Sequence, residues 1–131
     1  MWRPKTARLA GGPGWALAYH GAYEFGGPDA VAALPGGEQW LAVVDRAPAA
    51  ERHLAVHSGH CVELSEADQA AWDAAGHSIL TDVTISGTRD QVRHKLDDLA
   101  GHGVTEIVFQ PCGPDVKAEL ERFLEAAEAV R

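Results

Sequence analysis

Cysteine, basic charge and long apolar runs are all scarce in this chain. Two cysteines, Cys61 and Cys112, occur among 131 residues. They lie far apart and form no CxxC pair, so neither a disulfide framework nor a cysteine-rich zinc module is expected. Free thiols point to the cytoplasm. Lysine and arginine number 11 against 19 acidic residues, a formal net charge of −8. That balance repels nucleic-acid phosphates and anionic lipid, which argues against either partner. No run approaches the ~18 apolar residues of a membrane span. The opening MWRPKTARLA has basic residues but no apolar core after them, so no secretory leader is expected. GxSxG, GxGxxG and P-loop patterns are also missing. The GGPG at Gly11 lacks the Lys-Ser/Thr of a phosphate loop and reads as a joint. No period of ~20–50 residues repeats, which excludes a solenoid.

What remains is an ordinary globular composition, 46% apolar and 23% charged, with a length that suits one domain. Residues 1–12 are basic and glycine-rich and read as an N-terminal arm. Residues 13–76 read as mostly helical. Pro13 suits a first helical turn, and Trp15, Tyr19, Ala22 and Phe25 fall on one helical face. Gly26-Gly27-Pro28 breaks that helix, a short one follows over Asp29–Leu34, and Glu38–Arg46 carries a stripe of Trp40, Val43 and Val44. Ser65 caps a further helix, with Asp68 three positions on as a capping-box partner.

Residues 77–131 read as a βαβα unit. ILTDVTIS, from Ile79 to Ser86, is rich in β-branched residues and predicts a strand. Thr88 and Gln91 form a capping box before a helix with Val92, Leu96 and Leu99. VTEIVFQ then predicts a strand apolar on both faces, as in a parallel sheet covered on both sides. A last helix follows, with Pro114 in its first turn and a stripe of Leu120, Phe123, Leu124 and Ala127. The expected geometry is a right-handed crossover in a parallel sheet. Ligands of such sheets meet the C-terminal strand ends, which makes Gln110, Cys112 and Gly113 rim candidates. Gly113-Pro114-Asp115 also has a plainer reading as a helix start. There the Asp115 carboxylate would cap the N–H groups that otherwise suit an anion.

His53, His57 and His60, followed by Cys61, form H-x3-H-x2-H-C. His53 and His57 have the i, i+4 spacing of zinc ligands. However, no HExxH glutamate is present and Gly59 breaks the helix before His60, so no metal is expected. His57 and His60 stand either as pocket-lining polar groups or as structural or exposed histidines. His20, Tyr23 and Glu24 share one helical turn, as a local acid–base group or as a surface pair. Cys112 sits where a nucleophile would be well placed, but no basic residue close in sequence lowers its pKa. The four tryptophans read as core or interface anchors.

From Gly87-Thr88 through Gly103-Val104 to Gly113-Pro114-Asp115 the sequence resembles the C-terminal part of the luciferase-like monooxygenases, flavin- or deazaflavin-dependent oxidoreductases built on a (β/α)8 barrel. Upstream, AYHGAYEFGG and ERHLAVHSGHCVEL resemble segments of the deazaflavin-linked branch. The likeness runs from about Trp15 to the end. It implies an α/β fold, a helix-rich partial (β/α) barrel, and redox chemistry on a small organic substrate with flavin mononucleotide or deazaflavin (factor 420). It also implies that His57, His60, Gln110, Cys112 and Gly113 line the pocket, and that no metal takes part. A full barrel of this kind takes ~250 residues. A homodimer, or a partner chain that completes the barrel, is therefore expected to cover the open edges. The alternative is a non-catalytic small-molecule-binding or oligomeric module that has lost the redox site.

Overall fold

A cluster of buried aromatic rings organises the first half of the chain. The computed structural model describes residues 6–128. Strand β1 (Thr6–Ala10) leads through a 3-10 turn, Gly12–Ala16 with Pro13 in its first turn, into α1 (Leu17–Ala32). Trp15 and Tyr19 are fully buried. The Trp15 indole N–H donates to the Gly76 carbonyl at 2.7 Å, and the Tyr19 hydroxyl donates to the Pro35 carbonyl. Each ring thus contributes apolar area and still satisfies its polar end. The face written into the sequence stops at Ala22, because Phe25 is 92% exposed. Gly27 leaves helical geometry with a φ of 71°, so α1 kinks at the Gly-Gly-Pro as expected.

Helix α2 (Gly37–Val44) brings Trp40 and Val44 into the core. Gly36 before it has a φ of 73°, and a Cβ there would lie 2.3 Å from the Ala71 carbonyl oxygen. Only glycine fits a turn that is both left-handed and pressed onto a neighbouring backbone. Helix α3 (Arg52–Val56) is short, and α4 (Glu66–Ala74) packs against α2. Ser65 accepts from the Asp68 amide and Asp68 accepts from Ser65, the expected capping box.

The stretch Ile79–Ser86 is not the expected strand. It forms the end of a 3-10 turn (Gly76–Ile79), the single-turn helix α5 (Leu80–Val83) and an extended tail. A strand would point Ile79 and Leu80 to opposite faces. The helical turn lets both pack on the Trp15 cluster, and that burial outweighs β propensity.

The C-terminal elements keep their expected order: α6 (Arg89–Gly101) behind the Thr88–Gln91 capping box, β2 (Glu106–Gln110) and α7 (Val116–Ala127), with Pro114 ahead of α7 rather than in its first turn because Asp115 is the cap. The parallel neighbour of β2 is β1, in register from Thr6↔Glu106 to Ala10↔Gln110. Residues 6–10 are therefore a strand rather than part of an arm; residues 1–5 of that expected arm lie outside the described residues. The Ile85 amide donates to the Ala10 carbonyl at 2.9 Å, which lays the extended tail beside β1. Strand β2 is not covered on both sides, since Val108 remains exposed.

These observations overturn the expected partial barrel. The described residues form a helix-rich fold with one two-stranded parallel ribbon, and no sheet large enough to curve into a barrel. Among them, no helix is long and apolar enough to cross a membrane.

Candidate functional site

The kinked α1, the loop after α3 and the start of α4 converge on three histidines and one aspartate. His20 is buried on α1, and its Nε2 lies 3.2 Å from Asp68 Oδ1. Asp68 is fully buried. Its Oδ1 also accepts from the Trp40 indole N–H at 2.8 Å, and its Oδ2 accepts from the Ser65 amide at 2.9 Å and the Ser65 hydroxyl at 2.8 Å. Burial alone would raise the Asp68 pKa. The bonds from His20, Trp40 and Ser65 outweigh it and hold the carboxyl below its usual range.

A carboxylate can only accept, so the His20 hydrogen stands on Nε2 and its Nδ1 lone pair points the other way. His60 Nδ1 lies 3.1 Å from that atom, and in the neutral cluster the shared hydrogen sits on His60. His57 completes the group, with one ring nitrogen of each histidine within 4.8 Å of the others. Its Nε2 lies 3.6 Å from Glu24 Oε2. Partial desolvation, then the neighbouring His20 and His57, hold His60 below the ordinary histidine value, against the opposing pull of Asp68. His53 is exposed and outside the group.

The same loop reaches the strand ends. Cys61 has a φ of 63°, a left-handed conformation uncommon for any residue but glycine. Its carbonyl accepts from the Gly113 amide at 2.7 Å, and its sulfur accepts from Gln110 Nε2 at 3.1 Å. Cys112 is buried against Gly14, where an added Cβ would come within 3.0 Å of its sulfur. Burial, then Cys61, push the Cys112 thiol up to about 11. At neutral pH it is a protonated packing group that donates to the Gln110 carbonyl. The Asp115 carboxylate accepts from the Ala118 amide at 2.9 Å and caps α7, so that helix start follows its plainer reading.

Beyond these residues, two hollows meet across the C-terminal strand ends. One of about 380 Å³ is lined by Gly11, Ser86, Gly87, Arg89, Phe109 and Arg122, among others. The Phe109 ring stacks on Phe123 at 4.0 Å. Arg89 donates to the Glu125 carbonyl and Arg122 pairs with Glu119 at 3.3 Å. The second, about 400 Å³, is mainly apolar, with Trp15, Val62, Leu64, Trp72, Leu80 and Pro114. Gly12, Pro13 and Ser86 border both.

Thus all five candidate residues belong to one continuous belt. His57 and His60 enter the histidine cluster, and Gln110 and Gly113 bind Cys61 beside Cys112. None of the five lines either hollow. Sequence reasoning missed His20 and Asp68 as partners, 48 positions apart. Asp68 was legible as a cap, and the only further signal is a histidine on the apolar side of α1 next to Tyr19. Glu24, expected beside His20, pairs with His57 instead. No family model, no curated protein and no solved structure matches the chain.

Proposed function

We propose that the chain is an oxidoreductase-type protein that takes flavin mononucleotide or a deazaflavin, with a small organic substrate, in the cleft at its strand ends. The observation that carries this reading is the pairing of hollows. An apolar chamber walled by Trp15 and Trp72 adjoins one that carries Arg89 and Arg122, with Glu119 and Glu125 on the same lining. A ligand with a flat apolar ring and an anionic tail would displace Glu119 from Arg122. Such a cofactor supplies hydride transfer when bound. The tryptophans exclude water from the ring, the arginines meet the tail, and Gly11, Gly12 and Gly87 let backbone approach it. The resemblance from Gly87 to Ala127 supports the cofactor class alone, since the barrel it also implied is absent from the described residues, and the cytoplasm is the proposed compartment.

Titration with flavin mononucleotide, riboflavin and deazaflavin, read by ligand and tryptophan fluorescence, tests it. Saturable binding of one ligand per chain is expected. Arg89→Glu with Arg122→Glu should weaken the phosphorylated flavin at least about tenfold and leave riboflavin, which has no phosphate, unchanged. No saturable binding of any of the three up to about a millimolar would remove the proposal.

The second reading is a non-catalytic module that works as a homo-oligomer. Val116, Leu120 and Leu124 on α7 are exposed apolar side chains along one helix, a feature that suits contact with a second copy. Light scattering decides it: a dimer that carries no bound chromophore supports this reading, and a monomer removes it.

A further inference from the structure

We propose that His20, His57 and His60 form a binding centre for a zinc-class divalent metal ion, with Asp68 as the carboxylate that holds His20 from behind. The proposal is independent of the cleft, since none of the four residues lines it.

The donor set is the one zinc prefers, three neutral imidazoles with room for a fourth ligand. Zinc–nitrogen bonds of ~2.05 Å in a tetrahedron set ligand atoms about 3.3 Å apart. His20 Nδ1 and His60 Nδ1 are already 3.1 Å apart, and the widest pair of the trio stays within 4.8 Å. His57 and His60 are exposed, so the remaining closure falls on side chains free to turn.

The buried half is prepared more thoroughly. A metal-bound histidine commonly donates its other ring N–H to a carboxylate, which fixes tautomer and direction. Asp68 does this to His20, and Asp68 is itself fixed by Trp40 and Ser65. In neutral His20 the Nδ1 lone pair is therefore turned toward His60. Glu24 Oε2 lies 3.6 Å from His57 Nε2, outside the trio of ligand atoms and placed as a second outer carboxylate. Three imidazoles crowded together over one prepared lone pair make sense as ligands. As a hydrogen-bonded network they are poor, because a single bond joins the rings.

The test uses full-length protein stripped with a chelator and titrated with Co2+, whose visible absorption strengthens in four-coordinate sites, then with Zn2+ as competitor. One ion per chain is expected, with Kd about micromolar or tighter, and Zn2+ should displace Co2+. His57→Ala and His60→Ala change exposed positions. Each should lower affinity at least about 100-fold with an unchanged circular dichroism spectrum. Asp68→Asn should lower it about 10–100-fold, with folding followed separately by urea titration. His53→Ala should change nothing. Folded protein that binds no tighter than about a millimolar overturns the proposal. So does binding that survives His57→Ala and His60→Ala, since the ion would then sit on other surface histidines.

Discussion

The main buried cluster is drawn from Trp15 to Ala71, whereas beyond residue 75 the buried apolar residues among those described are Ile85, Leu96, Cys112 and Ala126. The helical block holds three tryptophan or tyrosine rings at full burial. The α6–β2–α7 block leaves Val108, Val116, Leu120 and Leu124 in solvent. Clear local signals occur in both parts of the chain, at Ser65–Asp68 and at Thr88–Gln91, whereas the larger core lies in the first. The C-terminal block is regular because its caps and periodicity are strong. The helical block holds together because residues far apart in sequence meet.

If that contrast is correct, Trp15→Ala should have the largest effect. It removes a fully buried ring in contact with Tyr19 at 4.7 Å and Trp72 at 5.2 Å and leaves the Gly76 carbonyl without its donor. A loss of about 4 kcal/mol in urea denaturation is expected. A loss below about 1 kcal/mol would show that the core is elsewhere.

Next comes alkaline stability. Burial, then the Asp68 charge, push the Tyr19 hydroxyl up from 10.0 to about 12. The folded state thus favours the protonated form. Its contribution is fully present below the unfolded value near 10 and is lost as pH rises through about 12. Stability should fall by about 2 kcal/mol across that window. In Tyr19→Phe this fall should disappear while stability at neutral pH drops by about 1 kcal/mol for the lost hydrogen bond. An alkaline limb that persists in Tyr19→Phe would assign it to another group.

The smallest effect belongs to the open block. Leu124→Ala, at a side chain 48% exposed, should change monomer stability by no more than about 0.5 kcal/mol. If the loss grows with protein concentration, a second copy covers the face and the contrast between blocks vanishes in the assembled state.

Both capping boxes were legible because Ser65–Asp68 and Thr88–Gln91 satisfy their bonds within four residues. Strand β2 and α7 were legible from a glycine-bounded apolar run and a Gly-Pro-Asp start. Ile79–Ser86 was misread because β-branched composition is a preference, and packing onto the cluster around Trp15, itself more than 60 positions away, decides its conformation. The barrel expectation failed for the same reason in a larger form. Parallel pairing is a long-range choice, and β2 chose residues 6–10 over the stretch that precedes it. Of the site, His57, His60, Gln110, Cys112 and Gly113 were expected to line a pocket and none lines either hollow, while the organising pair, His20 and Asp68, is joined only by the fold.

Cys61 connects the two blocks, since its sulfur accepts from Gln110, the last residue of β2, and its carbonyl from Gly113 beyond it, while the preceding residue belongs to the histidine cluster. A single left-handed residue, Cys61, thus stands between the imidazoles and the edge of the parallel ribbon. Oxidising or alkylating that one sulfur would loosen the stitch from the other side. Chemistry at either end of this turn would therefore be felt as a change in how firmly the two halves grip each other.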